Sequence, residues 1–209
     1  MAARYVRLQS SSESVLIPSS MIAALAGRRI DAGNAPQPRF PARNVAAVAE
    51  RIRLSLQHLR VTTLVCSAAR GADLLALETA GELGLRRHVL LPTSQEDFRR
   101  SSVVDGPPKS PDQRASQPDW GDIYDRVLQE VANRGGLRVV AGNETGQQSY
   151  LATNLAILDE AQRLGGQSHE EVIAILVWNL ASRGAGDVTA AFREEALRRG
   201  LALEEISTL

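Results

Sequence analysis

The sequence predicts an α/β fold, a doubly wound, mainly parallel sheet flanked by helices. Short apolar, β-branched runs at residues 21–26, 61–65 and 172–177 read as buried strands. Amphipathic stretches of helical period separate them, an alternation that favours parallel pairing through crossover helices. The third observation is Cys66-Ser-Ala-Ala-Arg-Gly-Ala-Asp73, where a strand runs through small residues straight into a helix. Small residues let a backbone approach its neighbour closely, and Gly71 permits a sharp turn. A helix N-terminus there is a ready anion site, because free N–H groups and the helix dipole point outward. Arg70 adds a planar fork of donors suited to phosphate.

Composition narrows the class. The 209 residues are 44% hydrophobic and 23% charged, enough for one globular domain with a full core. Lys+Arg and Asp+Glu balance at 24 each, so no bulk field draws in nucleic acid or an anionic membrane. The single cysteine, Cys66, excludes an internal disulfide and a zinc cluster and fits a reducing, cytoplasmic setting. At the end of a buried strand it reads as a packed small residue rather than a nucleophile. No apolar run approaches the roughly 20 residues that span a bilayer, and no basic-then-apolar leader opens the chain. The expectation is a soluble protein with neither metal site nor membrane contact.

Residues 1–20 carry short apolar pieces around a Ser-rich centre and read as an N-terminal arm or edge strand, ahead of a single domain at 21–209. The first buried strand ends at Gly27-Arg28-Arg29-Ile30-Asp31. Open α/β sheets contact ligands at such carboxyl ends, although exposed arginines are also ordinary surface. Pro36, Pro38 and Pro41 stiffen the following loop and fix Arg39 and Phe40 in space. Val45, Val48, Ile52, Leu56 and Leu59 mark a helix face. The helix opening at Ala72 stops at Gly84, and a strand at 87–91 stops at Pro92.

The stretch at about 93–118 is rich in Pro, Ser and Asp, lacks any sustained period, and reads as a long loop able to cover a ligand. Asp119 caps a helix that turns Trp120, Ile123, Val127, Leu128 and Val131 inward. After a strand at 137–141, a turn at Gly142-Asn143 leads to a helix with Leu151, Leu155, Leu158 and Ala161 on its apolar face. Gly165-Gly166 is its expected end. Tyr150 and Asn154 lie one turn apart, placed to hold a base or ribose, with a packed tyrosine as the plainer alternative. Beyond the strand at 172–177, Gly184-Ala-Gly186-Asp187-Val-Thr189 forms a second glycine turn, with Asp187 as helix cap. An edge strand at 202–206 follows.

Taken in order, these motifs resemble the SLOG superfamily of Rossmann-like domains, related to the LONELY GUY enzymes and to DNA-processing protein A. The resemblance covers residues 25–206 and rests on Gly27-Arg-Arg-Ile-Asp31, Pro38-Arg-Phe-Pro41, Ser67-Ala-Ala-Arg-Gly-Ala-Asp73 with Glu78, and Leu91-Pro92 with residues 98–103. Tyr150 with Asn154 and Gly184-x-Gly186-Asp187-x-Thr189 complete it. It implies recognition of nucleotides or nucleotide-derived signals, often as a sensor coupled to an effector in bacterial defence or stress systems, and assembly as a homo-oligomer. LONELY GUY enzymes carry a glutamate three residues beyond the threonine of their glycine motif, and here Phe192 stands there.

Three functions therefore stay open. The first is a binding module, with no certain cofactor and a nucleotide-type ligand held by Gly27, Arg28, Arg29, Arg39, Ser67, Ala69, Arg70, Gly71, Ala72, Asp73, Asn154, Gly184, Gly186, Asp187 and Thr189. The second is an enzyme cleaving an N-glycosidic bond of a nucleotide through Glu78 or Asp73. The third is an oligomerisation scaffold with a vestigial crevice. Nucleic acid is a poor partner for a chain of balanced charge.

Overall fold

The computed structural model describes residues 5–6, 17–18, 20–32, 35–105, 118–140 and 146–209. Tyr5–Val6 (β1) and Ile17–Pro18 (β2) pair antiparallel, and the rest of the N-terminal arm lies outside the described residues. The main sheet holds β3 (Met21–Gly27), β4 (Val61–Cys66), β5 (Arg86–Leu91), β6 (Leu137–Val139), β7 (Glu171–Trp178) and β8 (Ala202–Ser207). Their order is β6-β5-β4-β3-β7-β8, with every neighbour parallel. The fold is α/β, Rossmann-like and doubly wound.

Alternation along each strand builds two cores, because successive side chains leave opposite faces of the pleat. Ala23, Leu25, Leu64, Cys66, Val89, Leu91 and Ile175 meet α1 (Val45–His58), α2 (Ala72–Glu82) and α4 (Trp120–Asn133) on one face. Ile22, Ala24, Val65, Leu90, Ala174 and Leu176 meet α5 (Gln147–Ser168) and α6 (Val188–Arg198) on the other. With both faces covered, β3, β4 and β7 read as continuous apolar runs. Strand order reverses between β3 and β7, so the crossovers beside them depart in opposite directions and leave a crevice at the strands' carboxyl ends.

Three local expectations need correction. The stretch after β5 is not loop throughout: Gln95–Phe98 (α3) is helical, with Ser94 capping the Asp97 N–H at 3.1 Å, and Arg99–Val103 continue as a π-turn. Residues 106–117 lie outside the described residues, as does the turn at Gly142-Asn143. Gly165-Gly166 does not close α5, which runs on to Ser168 and ends at left-handed His169. Gly165 lies where β7 and its approach press on the helix, since a Cβ there would stand 2.7 Å from Val172 Cγ2. Leu155 is 43% exposed rather than inward, because α5 turns Thr153, Ile157, Leu158 and Ala161 to the sheet.

Gly27 is where β3 meets the start of α2. A Cβ there would collide with the Ala72 side chain and approach the Val177 carbonyl oxygen to 2.8 Å. Gly27→Ala is therefore expected to destabilise the protein by about 1–3 kcal/mol through overpacking. Urea unfolding checks this, with an unchanged midpoint as the contrary result.

Candidate functional site

Two buried charges tie the reversal point together. Arg28 follows β3, and its guanidinium donates to both carboxylate oxygens of Asp187, at 2.6 and 2.7 Å. Arg28 also donates to Asn179 Oδ1 at 3.1 Å and the Ala181 carbonyl at 2.8 Å, and it lies 5.5 Å from the Trp178 ring centroid. Asp187 accepts further N–H bonds from Arg183, Thr189 and Ala190, capping α6 as its sequence position suggests. These hydrogen bonds and the Arg28 charge hold the Asp187 carboxyl far below the usual carboxylate range, against the opposing effect of burial. Saturation of this kind is what lets a charge pair sit away from water.

The same loop closes the start of α2. Ala72 N–H donates to the Arg28 carbonyl at 3.1 Å, and Arg29 forms a bridge with Gly71. Gly71 has φ +111°, and a Cβ there would stand 2.8 Å from both Arg28 O and Ile30 N. Of the amides expected to cradle phosphate at Gly71-Ala72, that of Ala72 is thus turned onto the chain's own backbone. At α6 the Asp187 carboxylate takes the Thr189 and Ala190 N–H groups. Each helix start thus gives part of its donors to the protein itself, and the arginines lining the crevice add side-chain donors.

Around this frame lies a cavity of about 310 Å³. Nine expected residues line it: Gly27, Arg28, Arg29, Arg39, Ser67, Ala69, Asp73, Asn154 and Thr189. Arg70, Gly71, Ala72, Gly184, Gly186 and Asp187 stand behind or outside the wall. Glu78 is also absent from it, pairing with Arg126 on the outer side of α2. Five residues separate Glu78 from Asp73, about 140° around a helix, so the two cannot share the site. Phe192 is buried between α6 and the sheet, so no carboxylate enters from the position where a glutamate is expected by resemblance.

Other lining residues escaped the sequence reading or were only half seen. Tyr150, Thr153, Asn154 and Ile157 form one stripe of α5 facing the cavity. Ser102, from the π-turn, hydrogen-bonds the Tyr150 hydroxyl at 2.9 Å, while Asn154 donates to Val188 O at 2.8 Å. Arg183 lines the rim beside the second glycine turn, 3.7 Å from Asp187. Asp31 lines it too, and its Oδ2 accepts the Arg39 and Phe40 N–H groups at 2.6 and 2.7 Å. Phe40 is fully buried and Thr208 donates to the Arg39 carbonyl, so the Arg39 backbone is held from two sides. Among the described residues the Arg39 guanidinium has no hydrogen-bond or carboxylate partner.

Asp73 supplies the acid. It is 7% exposed and accepts one hydrogen bond, from Ala69 N–H at 3.2 Å. Burial pushes its carboxyl up to about 7, against the pull of the Ala69 N–H and the Arg29 charge. A crevice lined by arginines thus encloses a carboxyl able to give or take a proton near neutrality. Burial and Asp73 also raise the neighbouring Cys66 thiol, which is fully enclosed and inert.

Breaking a saturated buried pair strands the surviving charge. Asp187→Asn is expected to cost about 3–5 kcal/mol, whereas Asp125→Asn at the exposed Arg99 pair changes stability little. Equal effects in urea unfolding contradict this. For Asp73 the folded state holds the proton more tightly, so stability falls as pH rises from the unfolded value toward about 7. Asp73→Asn is expected to remove up to about 4 kcal/mol of that fall between about pH 4 and pH 8. An unchanged pH slope contradicts it.

No protein-family model and no curated protein matches the chain. Among solved structures it is similar to DNA processing protein A from Streptococcus pneumoniae, at 14% identity and TM-score 0.37 over 89% of this chain and 58% of that one. It is also similar to SuiB of Streptococcus suis bound to S-adenosylmethionine, at 11% identity and TM-score 0.27 over 90% and 47%. The chain spans roughly half the length of each. The first falls in the superfamily that the sequence motifs resemble. At these identities and TM-scores neither likeness says what this chain binds, and the fold rests on strand order and register.

Proposed function

We propose that the crevice binds a nucleotide-type ligand and that the chain is a binding module whose occupancy is the signal. The observation that carries this is Arg39: a half-buried residue whose backbone is held by Asp31 and Thr208, whose guanidinium has no partner among the described residues, and which lines the cavity at the reversal point. Open α/β sheets bind ligands at that point. Arg29 and Arg183 add positive charge, while Phe98, Leu25 and Ile157 give apolar wall for a flat base. Ser67, Thr153, Asn154 and Asp73 suit sugar hydroxyls. Resemblance to SLOG domains supports a sensor role in a cytoplasmic homo-oligomer that regulates an effector in bacterial defence or stress.

Asp73 favours a second reading, hydrolysis of an N-glycosidic bond. With a pKa near 7 it can act as general base toward water or as acid toward the departing base. Glu78 has no part in it.

The test is thermal unfolding against mononucleotides, cyclic mono- and dinucleotides, NAD and ADP-ribose, with mass analysis after incubation. Ligand at 100 times its Kd stabilises by about 2.7 kcal/mol, a rise of roughly 5–10 °C for a chain of this size. Arg39→Gln is expected to weaken binding by about 10- to 100-fold, the loss of a charge-assisted hydrogen bond. Ligand recovered intact supports binding; a released base, abolished by Asp73→Asn, supports hydrolysis. No shift across the panel overturns both.

A further inference from the structure

Arg29 and Arg70 stand side by side at the crevice mouth and share one carboxylate. Arg29 Nη2 donates to Asp105 Oδ1, and Arg70 Nη1 lies 3.8 Å from the same oxygen. Both backbones are held: Arg29 by its bridge to Gly71, Arg70 by its N–H bond to Ser102 O at 3.1 Å. The two guanidiniums feel each other, since the Arg29 charge and burial both weigh against the proton on Arg70 while Asp105 favours it. Both Nε groups are buried with no acceptor. Arg28, by contrast, spends its donors on Asp187, Asn179 and Ala181. A carboxylate engaged through one oxygen leaves most of ten N–H donors unused, whereas a phosphoryl group offers three oxygens to two forks.

We propose that Arg29 and Arg70 form an anion subsite for a phosphoryl group of the ligand, and that Asp105 is a built-in competitor occupying it until that group arrives. The inference rests on the crevice reading, since Arg29 belongs to both walls. Asp105 sits just beyond the π-turn whose Ser102 hydrogen-bonds Tyr150 on the α5 stripe. Ligand entry exchanges one carboxylate for a more highly charged anion, which sets a threshold on affinity. The apparent Kd is the intrinsic Kd divided by the fraction of molecules in which Asp105 is unseated.

The probe is inorganic pyrophosphate, titrated calorimetrically into the parent, Asp105→Asn, Asp105→Ala and Asp105→Asn/Arg70→Gln. Asp105 is part-exposed, so the single variants are expected to melt near the parent. Both are expected to bind about tenfold more tightly, as when a competitor seated about nine-tenths of the time is removed. Adding Arg70→Gln is expected to erase the gain. Binding equal to or weaker than the parent in both single variants overturns the proposal, as does a gain that survives Arg70→Gln. Nucleotides that stabilise the parent with no pyrophosphate gain in the variants overturn the competitor and leave the crevice reading standing. A gain for pyrophosphate while no nucleotide stabilises parent or variant overturns the crevice reading and leaves the subsite.

Discussion

The buried contact between Arg28 and Asp187 sets the geometry of everything near the sheet's carboxyl edge. It joins the end of β3 to the start of α6 across the point where strand order reverses. Burying two charges is costly unless nearly every donor and acceptor is used, and here they are. The Arg28 carbonyl then receives the first N–H of α2. One residue thereby ties together the starts of two helices.

In many open α/β sheets, backbone amides at a helix start carry the anion. In this chain the Ala72, Thr189 and Ala190 N–H groups go to protein acceptors, and Arg29, Arg39 and Arg183 line the crevice. Side-chain recognition is more selective about charge placement, because each guanidinium presents a fixed fork. Asp31 and Thr208 hold the backbone of Arg39, and Gly71 holds that of Arg29. Asp73 lines the same cavity, its carboxyl pushed up by burial to about 7.

Strand identity and the two-faced sheet were legible because β3, β4 and β7 are largely apolar, the pattern of a parallel sheet covered on both faces. Both caps, Asp119 and Asp187, were legible because a short acid before an apolar run has a local role. The face of α5 was not. Its inward stripe mixes Tyr150, Thr153 and Asn154 with Ile157, so apolar periodicity points to Leu155 instead. Polar residues facing a cavity erase the signal that marks a buried face. Arg28 shows a related limit: it lines the crevice, but the carboxylate that holds its guanidinium lies 159 residues away, beyond any local pattern. Glu78 lay on the right helix and the wrong face; Asp31 closed the motif that begins at Gly27, whereas Arg183 carried no local pattern that set it apart from ordinary loop residues.

An anionic ligand seated in the crevice must perturb the residues that line it. The most direct measurement is the amide spectrum of uniformly 15N-labelled protein titrated with ADP. The predicted result is a set of saturable shifts confined to the Gly27–Ile30 loop, Arg39, Ala69–Asp73, Ser102 and the first turns of α5, with Arg28 and Asp187 staying slowly exchanging. Shifts centred elsewhere, such as the outer face of α2 around Glu78 and Arg126, or no saturable shift at all, would contradict it.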